Sequence, residues 1–122
     1  SARVYLRRAD VLMALRRRGP ALDSLREAIL VDPAFWEARY HLGIELATDG
    51  KVADAQAELA EVVRLRPQHV LARLNLGNLL VRQGRVEEAL TQFREVLQLD
   101  PGNQTARDSA AALERRPDRE NP

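Results

Sequence analysis

The fold of this chain is decided by residues 36–67 and 70–101, two stretches of equal length. They read WEARYHLGIELATDGKVADAQAELAEVVRLRP and VLARLNLGNLLVRQGRVEEALTQFREVLQLDP. Twelve positions are identical when the chain is shifted by 34 residues, and no gap is needed. Pro33, Pro67 and Pro101 keep the same spacing and extend the pattern towards the amino terminus. A fixed period of this length is the signature of a protein built from tandem repeats.

Each repeat has the pattern of two amphipathic helices. The predicted helices run over residues 35–48 and 52–65 in one repeat, and over 69–82 and 86–99 in the next. The first helix of each pair ends before Gly50 or Gly84, because glycine readily adopts the left-handed backbone that closes a helix. The second ends before Pro67 or Pro101, because a residue that precedes proline disfavours helical backbone.

Small residues recur in the middle of these helices. Glycine inside a helix costs about 1 kcal/mol relative to alanine, yet Gly43 and Gly77 hold matching positions on the first helices. Ala55 and Ala89 match in the same way on the second helices. We therefore expect the paired helices to approach each other closely at these positions.

The two ends of the chain follow the repeat less closely. A first helix is predicted over residues 2–17, about a turn longer than its counterparts, because the breaker Gly19-Pro20 comes later than Gly50 does. Asn103 is predicted to cap a closing helix over residues 104–115. Residues 117–122 are expected to form a flexible tail. The predicted organisation is one domain over residues 1–116, with units at about 2–33, 36–67 and 70–101.

The first helix mixes basic and apolar residues. Arg7 and Arg8 lie among Val4, Leu12 and Leu15, a mixture also typical of helices that lie on a membrane surface. We expect its apolar face to pack against the next helix pair instead. No apolar run of about 18 residues is present, so no membrane-spanning helix is predicted.

The repeat resembles a known family, the tetratricopeptide repeat. The matching residues are Leu76-Gly77, Leu80, Gly84, Ala89, Phe93, Val96 and Asp100-Pro101, and earlier Leu42-Gly43, Leu46, Gly50, Ala55, Leu59, Val62 and Pro67. Arg39 and Arg73 depart from it, since the family often has tryptophan there. The resemblance implies an all-α fold: a right-handed α-solenoid of three helix hairpins plus a C-terminal capping helix. It also implies a concave groove, lined by the first helices, that binds peptides or partner helices.

Residues on the first helices outside the Leu/Gly packing set are the candidate partner-binding residues. They are Arg7, Asp10, Glu37, Tyr40, His41, Ile44, Leu71, Leu74, Asn75, Asn78 and Arg82. Apolar side chains on a solvent face mark a partner site when they are contiguous, and paired amides can grip an extended backbone. The alternative is that Tyr40 and Leu74 pack between adjacent first helices and that the asparagines are only solvated.

One subclass of the family clamps a C-terminal carboxylate with Lys, Asn and Arg from consecutive first helices. Leu6, Asp10, His41, Leu71 and Asn75 align with those places. Because the basic residues are missing, we predict no carboxylate clamp, and an internal segment or a folded partner as the ligand.

Composition narrows the other function classes. Cysteine is absent, which excludes disulfides and thiolate metal sites. Basic and acidic residues balance at 19 and 18, which argues against a nucleic-acid partner. The sequence has no phosphate-binding loop and no recognisable nucleophile–base set, and its histidines, His41 and His69, fall on separate predicted helices. No catalytic, metal or cofactor site is therefore expected. Lys51 is the only lysine, a bias that favours a bacterial source.

The leading hypothesis is a protein–protein interaction scaffold that binds a peptide or partner protein in the groove. Two alternatives stay open. The chain is the substrate-selecting segment of a larger enzyme such as a glycosyltransferase, or it is a self-assembling homo-oligomer that uses its open ends or Phe35 and Trp36.

Overall fold

The computed structural model describes residues 1–116, which form seven α-helices and no strand. The helices are α1 (Ala2–Ala14), α2 (Arg18–Val31), α3 (Trp36–Thr48), α4 (Val52–Leu65), α5 (Val70–Arg82), α6 (Val86–Leu99) and α7 (Gln104–Glu114). The prediction of an all-α fold is confirmed. The predicted tail over residues 117–122 lies outside the described residues.

Consecutive helices pair as hairpins: α1 with α2, α3 with α4, and α5 with α6. The chain divides into two compact units, Ser1–Pro67 and Gln68–Pro122. In the first unit α2 also packs against α3, and in the second α7 packs against α6. The first helices begin at residues 2, 36 and 70, so the 34-residue spacing extends through α1.

The same hydrogen-bonded cap ends each first helix. Gly50 donates its backbone N–H to Ala47, and Lys51 donates to Leu46, each at 3.0 Å. The pair of bonds forms a Schellman motif, with Gly50 at a φ of +77°. Gly84 closes α5 with the same two bonds and a φ of +74°.

The predicted bounds of the first helix are wrong. Arg16 adopts the left-handed backbone that glycine adopts at the end of the other first helices. Arg16 has a φ of +60°, and Arg17 N–H donates to the Leu12 carbonyl at 2.8 Å. The first helix therefore stops at Ala14 and is no longer than α3 or α5. Pro20 lies in the first turn of α2, where its missing N–H would have no intrahelical partner.

The core of each unit is made of apolar side chains that face the partner helix, most of them leucine and alanine. Ala55, Leu59 and Val62 on α4 are fully buried, and Ala89, Phe93 and Val96 hold the matching places on α6. The close approach predicted at the mid-helix glycines is confirmed. A Cβ at Gly43 would lie 2.9 Å from Leu59 Cγ, and one at Gly77 would lie 2.7 Å from the Phe93 ring.

The apolar residues of α1 fall on two faces rather than one. Ala2, Leu6 and Ala9 are buried. Val4 and Leu15, which we expected to pack against the next helix pair, are 61% and 62% exposed. That expectation is wrong, because the short residues at positions 2 and 9 place the hairpin contact on the opposite side of the helix.

The closing helix begins as predicted. Asn103 Oδ1 accepts a hydrogen bond from the Ala106 N–H at 2.9 Å, which satisfies one of the unpaired donors of the first turn. Its apolar side chains Ala106, Ala110 and Leu113 are buried. None of the helices within residues 1–116 is long and apolar enough to cross a membrane.

Candidate functional site

The first helices keep one face open because the opposite face is used for pairing. In the first unit the surface of α3 around Gly43 lies against Leu59 of α4. In the second unit Gly77 of α5 lies against Phe93 of α6. These contacts fix which side of each first helix remains available for a ligand.

The predicted binding residues occupy equivalent positions along the three first helices. Because these helices start 34 residues apart, Arg7, His41 and Asn75 correspond to one another. Asp10, Ile44 and Asn78 form the next set, and Glu37 corresponds to Leu71.

In the first unit, the open faces of α1 and α3 bring together aromatic, polar and charged groups. The rings of Tyr40 and His41 meet edge to face, with centroids 6.2 Å apart and planes at 78°. Arg3 Nη2 contacts Glu37 Oε1 at 3.5 Å, which links the first turns of α1 and α3. Tyr40 and Ile44 are half-buried, and His41 is exposed.

Arg7 and Asp10 are the open charged groups of this surface. Both are exposed. Neither makes a side-chain hydrogen bond or an ion pair with any other residue of 1–116. Their donor and acceptor groups face solvent and are available to a ligand.

In the second unit, the structure corrects one of the predicted residues. Leu74 is only 8% exposed, so it is part of the core and not an open apolar group. Its burial agrees with the alternative in which Leu74 packs instead of contacting a ligand. Leu71, one turn earlier, is 57% exposed and is the open apolar side chain of α5.

The two asparagines of α5 do not act as a matched pair. Asn75 Nδ2 donates to the Leu71 carbonyl at 2.9 Å, so part of its amide is used inside its own helix. Asn78 and Arg82 are exposed, and their side chains bond to nothing else among the described residues. The free donors of this surface are therefore those of Asn78 and Arg82.

The two aromatic residues at the start of α3 are buried or half-buried. Phe35 is 7% exposed, and the Arg3 guanidinium lies 5.4 Å from the centroid of its ring. The Arg66 guanidinium lies 5.0 Å from the ring centroid of Trp36. Phe35 therefore does not provide the open self-association patch that the sequence left as an alternative.

Sequence reasoning missed an apolar cleft on the first unit. A cavity of about 480 Å³ lies between α2 and α4, lined by Ile29, Leu30, Leu42 and Leu46 among others. Leu30 is 74% exposed. The available signal was the pair Leu30-Val31, which falls outside the Ala21, Leu25 and Ala28 face of α2.

These surfaces offer hydrogen bonds, charge and modest apolar area, which is the chemistry of non-covalent recognition. Among residues 1–116, no three His, Asp or Glu side chains converge as a metal site would require. Across the same residues every buried side-chain nitrogen or oxygen has a hydrogen-bond partner.

Sequence models of a known family match both units. A tetratricopeptide repeat model matches residues 42–104, and a second one matches residues 2–35. The chain belongs to the tetratricopeptide repeat family. None of the curated proteins is significantly similar to it in sequence.

Solved tetratricopeptide repeat structures share this all-α solenoid fold. The first tetratricopeptide domain of Spaghetti (RPAP3), bound to the HSP90 peptide SRMEEVD, is 19% identical with a TM-score of 0.81; 93% of this chain and 90% of that chain are covered. The second such domain of human RPAP3, in complex with the HSP70 peptide SGPTIEEVD, is 18% identical with a TM-score of 0.80. The match covers 95% of this chain and 100% of that chain. The P58(IPK) domain is 28% identical with a TM-score of 0.78, over 93% of this chain and 32% of that one.

The departures from the tetratricopeptide pattern are accommodated by polar contacts to the paired helix and, for Arg39, to the turn before α3. Arg39 Nε donates to the Pro33 carbonyl at 2.8 Å, and its Nη1 donates to Glu58 Oε2 at 3.0 Å. In the second unit Arg73 Nη1 donates to Gln92 Oε1 at 3.0 Å. The arginines thus join the two helices at the place where the family often has tryptophan.

Proposed function

We propose that this chain is a non-catalytic interaction module that binds a protein or peptide segment on the open faces of its first helices. Membership of the tetratricopeptide family supports a binding role, and two similar structures hold peptides of HSP90 and HSP70. Each unit contributes its own surface, and each surface combines polar groups with an apolar or aromatic side chain.

One observation carries the proposal: exposed polar groups lie on the same first helices as aromatic or apolar side chains, or on the first helix next to them. In the first unit, Arg7 and Asp10 are exposed on α1, and the Tyr40–His41 pair lies on α3, whose first turn contacts α1 through Arg3 and Glu37. In the second unit, Asn78 and Arg82 accompany exposed Leu71 on the same helix. An extended peptide needs both kinds of contact, since its backbone requires hydrogen bonds and its side chains require apolar surface.

The proposed ligand is an internal segment rather than a chain terminus. The places of the family's carboxylate clamp hold Leu6, Asp10, His41, Leu71 and Asn75. A carboxylate clamp needs cations, because charge-assisted bonds supply most of its strength. Asp10 would repel a terminal carboxylate.

The test begins with binders selected from a displayed library of unstructured peptides against the whole chain. Their Kd values are measured by calorimetry for wild type and for a His41→Ala/Asn78→Ala variant. The matched control is Glu95→Ala/Gln98→Ala, which removes two exposed side chains from α6. Loss of one central interface contact typically weakens binding by about tenfold or more, and we expect that loss only in the first variant.

Two results would contradict the proposal. One is a set of binders that loses affinity equally in both variants, because the ligand would then lie elsewhere. The other is a set whose binding needs a free carboxyl terminus and disappears when the same peptides are amidated, because the ligand would then be a terminus.

A further inference from the structure

The apolar cleft between α2 and α4 is a second candidate surface of the first unit. Leu42 and Leu46 of α3 form its floor and are 4% and 5% exposed, whereas Leu30 of α2 stands at its edge and is 74% exposed. Its volume is about 480 Å³, and its lining residues run from Arg26 to Glu58. Three consecutive helices of one compact unit therefore build this α2–α4 cleft.

The α2–α4 cleft lies on the side of α3 away from the proposed peptide site. Leu42 and Leu46 are four residues apart and share one face of the helix. Ile44 lies two residues from each of them, which at 3.6 residues per turn is a rotation of about 200°. A ligand in the cleft and a ligand on the open face of α3 would therefore contact opposite sides of that helix.

Two lining residues of the cleft are apolar where the other second helices have polar side chains. The second helices begin 34 residues apart, so Leu30 of α2 corresponds to Arg64 of α4 and Gln98 of α6, both exposed. Ala57 of α4 stands where α2 has an aspartate and α6 a threonine. The repeat does not need an apolar side chain at either position, and contiguous apolar groups in solvent mark a contact surface.

The charged residues around the cleft leave one carboxylate open. Glu58 is bonded to Arg39, and Arg26 Nη1 lies 3.7 Å from Asp23 Oδ1. Asp54, one turn before Glu58 on α4, is exposed, and its side chain makes no hydrogen bond or ion pair with the rest of residues 1–116. The α4 side of the cleft thus offers a negative charge beside apolar surface.

The exposure of the lining residues favours a macromolecule over a small ligand. Sites for small molecules bury about 70–90% of the ligand surface, whereas Leu30, Asp54 and Ala57 all stand exposed at this cleft. A groove between two helices suits a third helix, because the side chains of one helix pack into the grooves of another. Anionic lipid headgroups and nucleic-acid phosphates would be repelled by Asp54.

We propose that the α2–α4 cleft docks an amphipathic helix of a partner protein, with a large apolar side chain over Leu42 and Leu46 and a lysine or arginine opposite Asp54. The apolar side chain supplies affinity because it leaves water on binding. The cation fixes the orientation of the helix, because complementary charges at an interface contribute mainly specificity. This surface is additional to the peptide site of the first helices and does not depend on it.

The experiment selects helical peptides, on a stable scaffold with randomised outward positions, against the whole chain and measures their Kd values by fluorescence anisotropy. Leu30→Arg blocks the cleft, and α4 already has arginine at the equivalent position, so the fold should tolerate it. Its matched control is Leu15→Arg, at a leucine outside the cleft that is 62% exposed. Asp54→Asn removes the open charge, and its control is Glu88→Gln at the equivalent position of α6. Circular dichroism establishes that each variant retains the wild-type helix content.

We expect the helices that bind the cleft to combine leucine or phenylalanine with a lysine or arginine about one turn away. Leu30→Arg should weaken their binding by about tenfold or more, and Leu15→Arg should leave it unchanged. Asp54→Asn should weaken it by about twofold to fivefold, the usual effect of losing an exposed ion pair. A Lys→Gln change in the peptide should cause the same loss with wild type and none with Asp54→Asn, because the two groups contact each other.

Three outcomes would overturn the inference. The first is that no selected helix loses affinity in Leu30→Arg, or that each loses as much in Leu15→Arg. The second is that the helices sensitive to Leu30→Arg bind equally well without a cation. The third is concentration-dependent dimerisation that Leu30→Arg abolishes, which would assign the cleft to a second copy of the chain. The peptide-site variant His41→Ala/Asn78→Ala leaves every lining residue of the cleft intact, so the two proposals fail separately.

Discussion

Arg39 Nη1 on α3 donates hydrogen bonds to both carboxylate oxygens of Glu58 on α4, at 3.0 and 3.3 Å. The two side chains are only 16% and 19% exposed, so water screens this pair less than a surface ion pair. The same positions in the second unit hold Arg73 and Gln92, joined by a single bond of 3.0 Å. One geometry is thus achieved with a charged acceptor in one unit and a neutral acceptor in the other.

Glu58→Gln should therefore lower the unfolding free energy only slightly, whereas Glu58→Ala should lower it more. The glutamine keeps an acceptor oxygen for Arg39, as Gln92 does for Arg73, and we expect a loss of less than about 1 kcal/mol in unfolding free energy. Alanine removes both acceptor oxygens of Glu58 and leaves the half-buried guanidinium of Arg39 with only its bond to the Pro33 carbonyl, and we expect a loss of about 1–3 kcal/mol. Urea denaturation followed by circular dichroism measures both. Equal losses for the two variants would contradict the prediction, because the amide oxygen of glutamine would then contribute nothing to the stability.

Gly77→Ala should destabilise the second unit. The added methyl group would lie 2.7 Å from the ring of Phe93, which is fully buried. Overpacking of this kind typically costs about 1–3 kcal/mol, more than alanine gains in helix propensity. The matched control is Gly19→Ala in the first turn of α2, where no atom lies within 4 Å. The control should stabilise the protein by about 0.5 kcal/mol, and a loss there comparable to that of Gly77→Ala would contradict the packing argument.

Arg16→Gly should stabilise the first unit. Left-handed backbone costs a residue with a side chain roughly 1–2 kcal/mol, and Arg16 adopts it at a φ of +60°. Glycine recovers that cost but loses more freedom on folding, so we expect a net gain of about 0.5–1 kcal/mol. The neighbouring Arg17→Gly is the control, because Arg17 has an ordinary φ of −98° and should only lose stability. A higher melting temperature for Arg17→Gly than for Arg16→Gly in thermal denaturation would contradict the prediction.

Asn103→Ala should loosen the closing helix. It removes the oxygen that accepts the Ala106 N–H, a loss worth about 1 kcal/mol for an N-cap. Asn103→Ser keeps an acceptor oxygen for the cap and should stay closer to wild type, whereas aspartate would place a second carboxylate beside Asp100 Oδ2, which Asn103 Nδ2 contacts at 3.2 Å. Hydrogen exchange at Ala106 is the sensitive measurement, and protection there should fall in the alanine variant alone. Unchanged protection would show that water replaces the cap without cost.

Helix positions were predictable from the sequence where glycine and proline mark the ends. The bounds of α4 and α6 agree with the prediction to the residue. The end of α1 was not predictable, because arginine at residue 16 carries no sign that its backbone is left-handed. The burial of Leu74 was not predictable either. Leu74 is equivalent to Tyr40, which is half-buried, and an apolar residue at that position can be either exposed or packed.

The candidate surfaces were predictable in outline only. The repeat period identified which helices keep an open face, and Arg7, Asp10 and Asn78 lie exposed on them. Which amides are already bonded within the helix, as Asn75 is, depends on rotamers that a sequence pattern does not encode. The exposure of Val4 and Leu15 depends on which side of α1 meets α2, and small alanines made both sides plausible.

The pairing of consecutive helices has a kinetic consequence. Each hairpin joins segments linked by a short turn and closed by its own Schellman cap, so its contacts form between residues that are near in the chain. Little loop-closure entropy opposes the first step, and proteins dominated by such local contacts fold in microseconds to milliseconds. Nascent chains of this kind can begin to acquire structure as soon as one 34-residue segment has been synthesised, before the rest of the repeat array exists.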